Sequence, residues 1–245
     1  MSKVILALCL SSAAAFVAPQ ASKAAVSVGE TKADLDALAN ELNPIIGFWD
    51  PLGATGLDFW GLGNEGTIGY LRHAEIKHGR IAMAGFLGYV VQSTPFVSGP
   101  HSTLPFPGYT AGLTPPEQWD AIPLIGKAQI LVAIGMLESY GEILPVHYTK
   151  GGQPGYYPPI KGNRPELILN LYDPFDFFES ATAEEKEAGL VKEINNGRLA
   201  MLGLFSLLSA ASAPGSVPIL DGIVPAYAGN VMIPFEGQFS FFGAV

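Results

Sequence analysis

The sequence predicts an all-α membrane protein with three transmembrane helices. Three observations predict it: a low charge content, a one-sided distribution of basic residues, and a motif that occurs twice. Of 245 residues, 49% are hydrophobic and 14% charged, where an ordinary soluble domain carries about 25% charged residues. Mean hydropathy is +0.30. Gly (29) and Pro (20) are abundant, so helices should be few and connections long. The formal net charge of -9 excludes a nucleic-acid binder, which needs a basic surface.

The chain opens with Lys3, an apolar run over 4–10 and small residues over 11–15. This reads as a targeting presequence of about 24 residues. The run is too short to span a bilayer, which takes about 20 residues. The lone cysteine, Cys9, falls within it, so the mature chain has neither a disulfide nor a thiolate ligand. Residues 25–245 are expected to form a single domain.

Three segments, about 70–92, 127–144 and 187–211, are the expected spans. None is cleanly apolar: the first carries Arg72, Glu75, Lys77, His78 and Arg80. Hydropathy alone would rate it a buried helix of a soluble protein. The charge distribution argues otherwise. No Lys or Arg occurs over 93–126 or over 199–245. Three spans put those two stretches on one side of a membrane. The basic residues flanking them, including Lys32, Lys150, Lys161, Arg164 and Lys186, then share the other side with the N-terminus. The stretches 98–123 and 149–165 read as long ordered loops, because their aromatics argue against disorder.

The motif at Glu75-Ile76-Lys77-His78-Gly79-Arg80-Ile81-Ala82-Met83-Ala84-Gly85 returns at Glu193-Ile194-Asn195-Asn196-Gly197-Arg198-Leu199-Ala200-Met201-Leu202-Gly203, with seven of eleven positions identical. The first and third spans are therefore internal copies, expected to be related by a pseudo-two-fold axis. A Glu and an Arg are each costly in a bilayer. Five residues apart on one helix, they are not neighbours. Exchange between copies solves the problem: Glu75 with Arg198, and Glu193 with Arg80. Gly79, Gly197, Ala82 and Ala200 are small enough to let the helices cross closely. A paired carboxylate keeps a second oxygen for a hard metal such as magnesium. His78 shares a face with Glu75, and Asn196 with Glu193, so each copy offers two axial donors.

With these residues in place, the chain resembles the light-harvesting chlorophyll-binding family of three-helix thylakoid antennae. The likeness covers nearly all of the mature chain. It implies that Glu75, His78, Glu193 and Asn196 are axial ligands of chlorophyll magnesium, the only metal expected. Glu138 and Gln129 match the pigment ligands of the family's middle helix. Gln92 is a further candidate, at the place in the first span that Ala210 occupies in the third. The turns Trp49-Asp50-Pro51-Leu52 and Tyr172-Asp173-Pro174-Phe175 precede the two copied helices. The resemblance places Asp50, Pro51, Asp173 and Pro174 beside carotenoid ends. Green-plant members carry a further Gln on the third helix and a His near the C-terminus. Ala210 stands at the first position, and no His follows His147. Ala15-Phe16-Val17-Ala18-Pro19 resembles the presequence of plastids of red-algal ancestry. The expected pigments are therefore chlorophyll a, chlorophyll c and a carotenoid of fucoxanthin, peridinin or diadinoxanthin type.

The resemblance implies a non-catalytic antenna in the plastid thylakoid membrane, multi-pass, with a stromal N-terminus. Its partners would be a photosystem core, neighbouring antenna proteins and thylakoid lipid, with no nucleic acid. A photoprotective quencher of the same family would use the same ligands. A di-iron enzyme is the distant alternative, since Glu75-x-x-His78 is half of its signature. The second copy has Asn196 where that signature needs His.

Overall fold

The computed structural model describes residues 31–58, 60–94, 110, 112–158, 180–231 and 233–235. Among them the regular structure is helical, without strands. We number the α-helices α1 (Lys32–Leu42), α2 (Gly63–Gln92), α3 (Pro115–Ala121), α4 (Leu124–Gly141) and α5 (Ala183–Ser212). The presequence and the turn Asp173-Pro174 lie outside the described residues.

The three long helices depart at their ends from the expected spans. α2 begins at Gly63 rather than near 70, because glycines 66 and 69 are held in helix by packing. A Cβ at Gly66 would stand 3.0 Å from the carbonyl oxygen of Thr149, and one at Gly69 would overlap that of Tyr148. The backbone of 148–149 thus lies directly on the helix, which overrides the poor helix propensity of glycine. α4 ends at Gly141 rather than near 144, and α5 starts at 183 rather than near 187. The stretch 98–123, expected as loop, contains α3, and 149–165 opens inside the 3-10 turn Tyr148–Lys150.

Local chemistry explains where several helices begin. Thr31 and Asp34 form a capping box at α1, and Thr114 and Glu117 form one at α3, where Pro115 follows the cap. At α5, the hydroxyl of Thr182 accepts from Glu185 N–H, while the Glu185 carboxylate accepts from Thr182 N–H at 2.8 Å. These bonds, the backbone N–H of Thr182 first, hold the Glu185 carboxyl below its ordinary value of 4.5. A depressed pKa stabilises the fold above the unfolded value and loses that contribution as pH falls through the folded one. Thr182→Ala should destabilise the start of α5 by about 1 kcal/mol. Its measured loss of thermal stability should shrink as the pH falls through the lowered value of the folded protein, below which Glu185 is protonated with or without the cap.

The described residues group into two compact units, drawn from Met1–Met83 with Ser139–Leu199 and from Ala84–Glu138 with Ala200–Val245. In the first, Leu42, Ile76 and Ile194 form a buried core against which Leu38 and Val191 pack. In the second, Gly85 receives Leu204 and Gly203 receives Phe86. There Tyr227 ties its backbone N–H to Ala211 at 2.8 Å and its hydroxyl to Asp120 at 2.5 Å. Trp119 donates to Pro234 O, and the buried Lys127 ammonium lies 5.5 Å from its ring centre.

α4 carries apolar side chains around its whole circumference, and most of it is exposed: Ile125, Val132, Ile134, Met136 and Leu137 are among its open side chains. A helix apolar all round requires apolar surroundings. No single described helix is long and apolar enough to cross a membrane by itself. α3 and α4 pass that test together but are bent by 106°.

Candidate functional site

The repeated motif brings its four charged residues together in the first unit. Gly79 and Gly197 meet back to back: a Cβ on Gly197 would lie 2.9 Å from Gly79 Cα, and one on Gly79 3.0 Å from Gly197 Cα. Contact this close requires glycine on both helices. It sets α2 and α5 near enough for their side chains to cross. Arg80 Nε donates to Glu193 Oε1 at 2.5 Å, and Arg198 Nε donates to Glu75 Oε1 at 2.7 Å.

The two pairs differ in their surroundings. In the first, the side chains of Arg80 and Glu193 are 19% and 5% exposed. In the second, those of Arg198 and Glu75 are 43% and 28% exposed. Glu75 also has Arg72 at 3.9 Å. Among the described residues, Oε2 of Glu193 accepts no hydrogen bond. Each pair is formally neutral, so each Glu can offer its second oxygen to a metal whose own charge is already balanced, as that of magnesium in a dianionic ring is, without leaving a buried net charge. A di-iron site would instead need these carboxylates to bridge metals, and here each is committed to an arginine.

The neighbouring donors suit a hard metal with an axial position. His78 is exposed, and its Nδ1–H donates to Ala74 O at 2.7 Å. That bond fixes the tautomer and leaves Nε2 with its lone pair outward. Asn196 is partly exposed on α5. Gln129 and Glu138 are exposed on α4, and Glu138 is not isolated. Gln92 belongs to the second unit. There it lines a cavity of about 360 Å³ with Tyr89, Trp119, Tyr227 and Leu208, and its buried amide nitrogen has no hydrogen-bond partner among the described residues.

Asp50 caps its own turn. It accepts from the N–H groups of Ala54 and Thr55 and from the Thr55 hydroxyl. The Thr55 N–H, the largest of these influences, helps to hold the carboxyl below its usual value. Trp49 beside it is 76% exposed, an apolar ring presented outward next to a rigid turn.

The charge pattern did not reveal a second network. His147 lies between Glu142, 2.7 Å from Nε2, and the Thr149 hydroxyl, 2.7 Å from Nδ1, with Lys77 at 3.9 Å from Glu142. Burial raises the Glu142 carboxyl, but His147, Tyr148 and Lys77 outweigh it and hold the group low. The ring of His73 stacks on Tyr148 with centres 3.8 Å apart, and His147 meets Tyr148 at a tilt of 33° with centres 4.1 Å apart. The clue was the His-Tyr-Thr run at 147–149 following a lone Glu142; neither signals a partner as distant as His73.

The chlorophyll A-B binding protein family profile matches residues 34–212. A fucoxanthin-chlorophyll a-c binding protein of Trieres chinensis is 34% identical over 228 residues, covering 90% of this chain and 98% of the relative. Fucoxanthin-chlorophyll a-c binding protein D of Phaeodactylum tricornutum is 32% identical over 209 residues, covering 85% and 94%. A fucoxanthin-chlorophyll a-c binding protein of Chattonella marina var. antiqua is 29% identical over 251 residues, covering 98% and 99%. The helical, motif-crossed architecture and these matches define one class. The chain belongs to the chlorophyll a-b binding protein family. The donor set fits the group that this family's name gives: carboxylate and amide oxygen and imidazole nitrogen, with the two glutamates charge-balanced, would suit magnesium.

Proposed function

We propose that this chain is a light-harvesting antenna that binds chlorophyll a, chlorophyll c and a fucoxanthin-type carotenoid and passes excitation to a photosystem. One observation carries the reading: two glutamates, each neutralised by the arginine of the other helix across a glycine–glycine contact. Bound chlorophyll supplies light absorption and excitation transfer. The chain supplies position. Glu75, His78, Glu193 and Asn196 would hold chlorophylls through their magnesium, and Glu138, Gln129 and Gln92 would hold further ones. Asp50-Pro51 stands at one carotenoid end, and Asp173-Pro174 is assigned to the other.

In this reading α2, α4 and α5 are the transmembrane helices of a single antenna domain, with α2 and α5 related by a pseudo-two-fold axis. At about 1.5 Å per residue, the 30 residues of α2 and of α5 span about 45 Å. The 18 of α4 span about 27 Å, close to the roughly 30 Å of a bilayer core. Taken singly, α2 and α5 carry charges that are neutralised between them. The basic, stromal side holds the N-terminus, which follows from the sorting of Lys and Arg. The relatives are named chloroplastic, in keeping with a plastid presequence ahead of the domain and a thylakoid location. Photosystem cores, other antennae and thylakoid lipid are its partners.

The reading is tested by chromatography of pigments from the purified complex. Chlorophyll a, chlorophyll c and fucoxanthin in fixed ratio are expected. A folded complex that retains no chlorophyll would refute it. Fluorescence lifetime at neutral and acidic pH separates harvesting from quenching: a lifetime short at both would favour the quencher.

A further inference from the structure

We propose that His73 is a positioning residue: through the peptide of Gly155 it fixes the orientation of Arg80 on Glu193, and so makes the Glu193 site rigid. The ligand role of Glu193 rests on the reading above; the clamp itself does not.

The geometry is a stripe on one face of α2. His73, Ile76 and Arg80 stand at i, i+3 and i+7, so they line up over two turns. The segment after α4 lays one residue along that stripe. Gly155 N–H donates to His73 Nδ1 at 3.0 Å, and Gly155 C=O accepts from Arg80 Nη1 at 2.5 Å. Both backbone polar groups of one residue are thus spent on a single helix face. Between them Gly155 rests on Ile76: a Cβ there would lie 2.8 Å from Ile76 Cγ2, and φ is +77°. No other residue type fits this approach.

The far end is also fixed. His73 is 6% exposed and stacks on Tyr148 with its ring centre 3.8 Å away and its plane 9° off parallel. Because Nδ1 accepts, the ring proton of neutral His73 sits on Nε2. With Nη1 held by Gly155, Arg80 presents Nε to Glu193 Oε1. The arginine cannot swing to take both carboxylate oxygens, so Oε2 stays available to a ligand.

Among the described residues the other half has no counterpart. The position in α5 that corresponds to His73 is Val191, which cannot accept a hydrogen bond and packs on the apolar core instead. Arg198 is accordingly the more exposed arginine. The two copies therefore share their ion pairs but not the clamp, and the Glu193 site is the preorganised one.

The test uses the full chain reconstituted with pigments, in three variants. His73→Phe keeps a ring to stack on Tyr148 and loses the acceptor. His73→Asn keeps an acceptor and loses the ring. Glu193→Leu identifies the absorption band of the chlorophyll held there. Hydrogen exchange at the Gly155 amide should quicken about tenfold in His73→Phe, the factor that loss of one hydrogen bond of ordinary strength produces. It should stay near the parent rate in His73→Asn. The band assigned by Glu193→Leu should weaken in His73→Phe, while the band removed by Glu75→Leu should not. Unchanged Gly155 exchange in His73→Phe, or equal quickening in both His73 variants, would overturn the clamp. A quickened amide together with a Glu193→Leu complex that keeps all its chlorophyll would uphold the clamp and remove the ligand role of Glu193.

Discussion

Gly197→Leu should abolish the pigmented complex. Even the first carbon of the new side chain would lie 2.9 Å from Gly79 Cα and 3.4 Å from its carbonyl carbon. These are backbone atoms, so no rotamer change relieves the clash. Overpacking in an adaptable core costs about 1–3 kcal/mol; here α5 must move away from α2 as a body. A shift of about 1 Å takes the 2.5 and 2.7 Å contacts of the two ion pairs beyond good hydrogen-bond distance. One substitution therefore removes the close contact and both neutralised glutamates together. Gly197→Ala should give a reduced yield. Gly189→Ala is the control, because no atom beyond that helix's own backbone lies within 4 Å of a Cβ there; it should leave the yield unchanged or raise it slightly. The measurement is the yield of the pigmented band on a density gradient after reconstitution. A normal band from Gly197→Leu would mean that the glycine contact is not what holds the helices.

Much of this site could be read along the chain because it is built from a repeat. Glu and Arg five residues apart do not meet on one helix, and a second copy with the same spacing names the partners. Small residues between them point to a close crossing. The caps were equally local: Thr31-x-x-Asp34, Thr114-x-x-Glu117 and Thr182-x-x-Glu185 all fit the box pattern. α1 and α3 went unread because attention to long apolar spans passes over short polar helices whose starts are marked only by such boxes. Other features depend on approaches between remote segments. Gly66 and Gly69 lie in helix only because the carbonyls of Tyr148 and Thr149 press on them. His73 and Gly155 are 82 residues apart, and nothing near either one indicates the other. The asymmetry of the halves was legible in part, as His78 against Asn196 and Gln92 against Ala210. The substitution of Val191 for His73 gains meaning only once Gly155 is seen to need an acceptor.

Arg80→Leu and Arg198→Leu should differ sharply, although the sequence presents them as equivalents. Glu193 is 4% exposed, and Arg80 is the cation that pairs with it. Breaking a buried ion pair from one side costs about 3–5 kcal/mol, because the remaining charge is left uncompensated. Without Arg80 the Glu193 carboxylate also loses the hydrogen bond that orients it. The Gly155 carbonyl loses its donor as well, so the segment after α4 loosens from α2. Glu75 keeps more solvent and has Arg72 within 3.9 Å, so Arg198→Leu leaves a carboxylate that water and a second cation still screen. The expected result is a large fall in thermal stability and loss of the Glu193 chlorophyll in Arg80→Leu, against a smaller fall and partial loss at Glu75 in Arg198→Leu. Circular dichroism melts and pigment-to-protein ratios measure the two effects. The double variant Arg80→Leu/Glu193→Leu should regain much of the stability without regaining the chlorophyll, since replacing a whole buried pair by apolar groups is often neutral. If Arg80→Leu cost pigment only beside its own helix, at Glu75, the helices would not be coupled through exchanged charges.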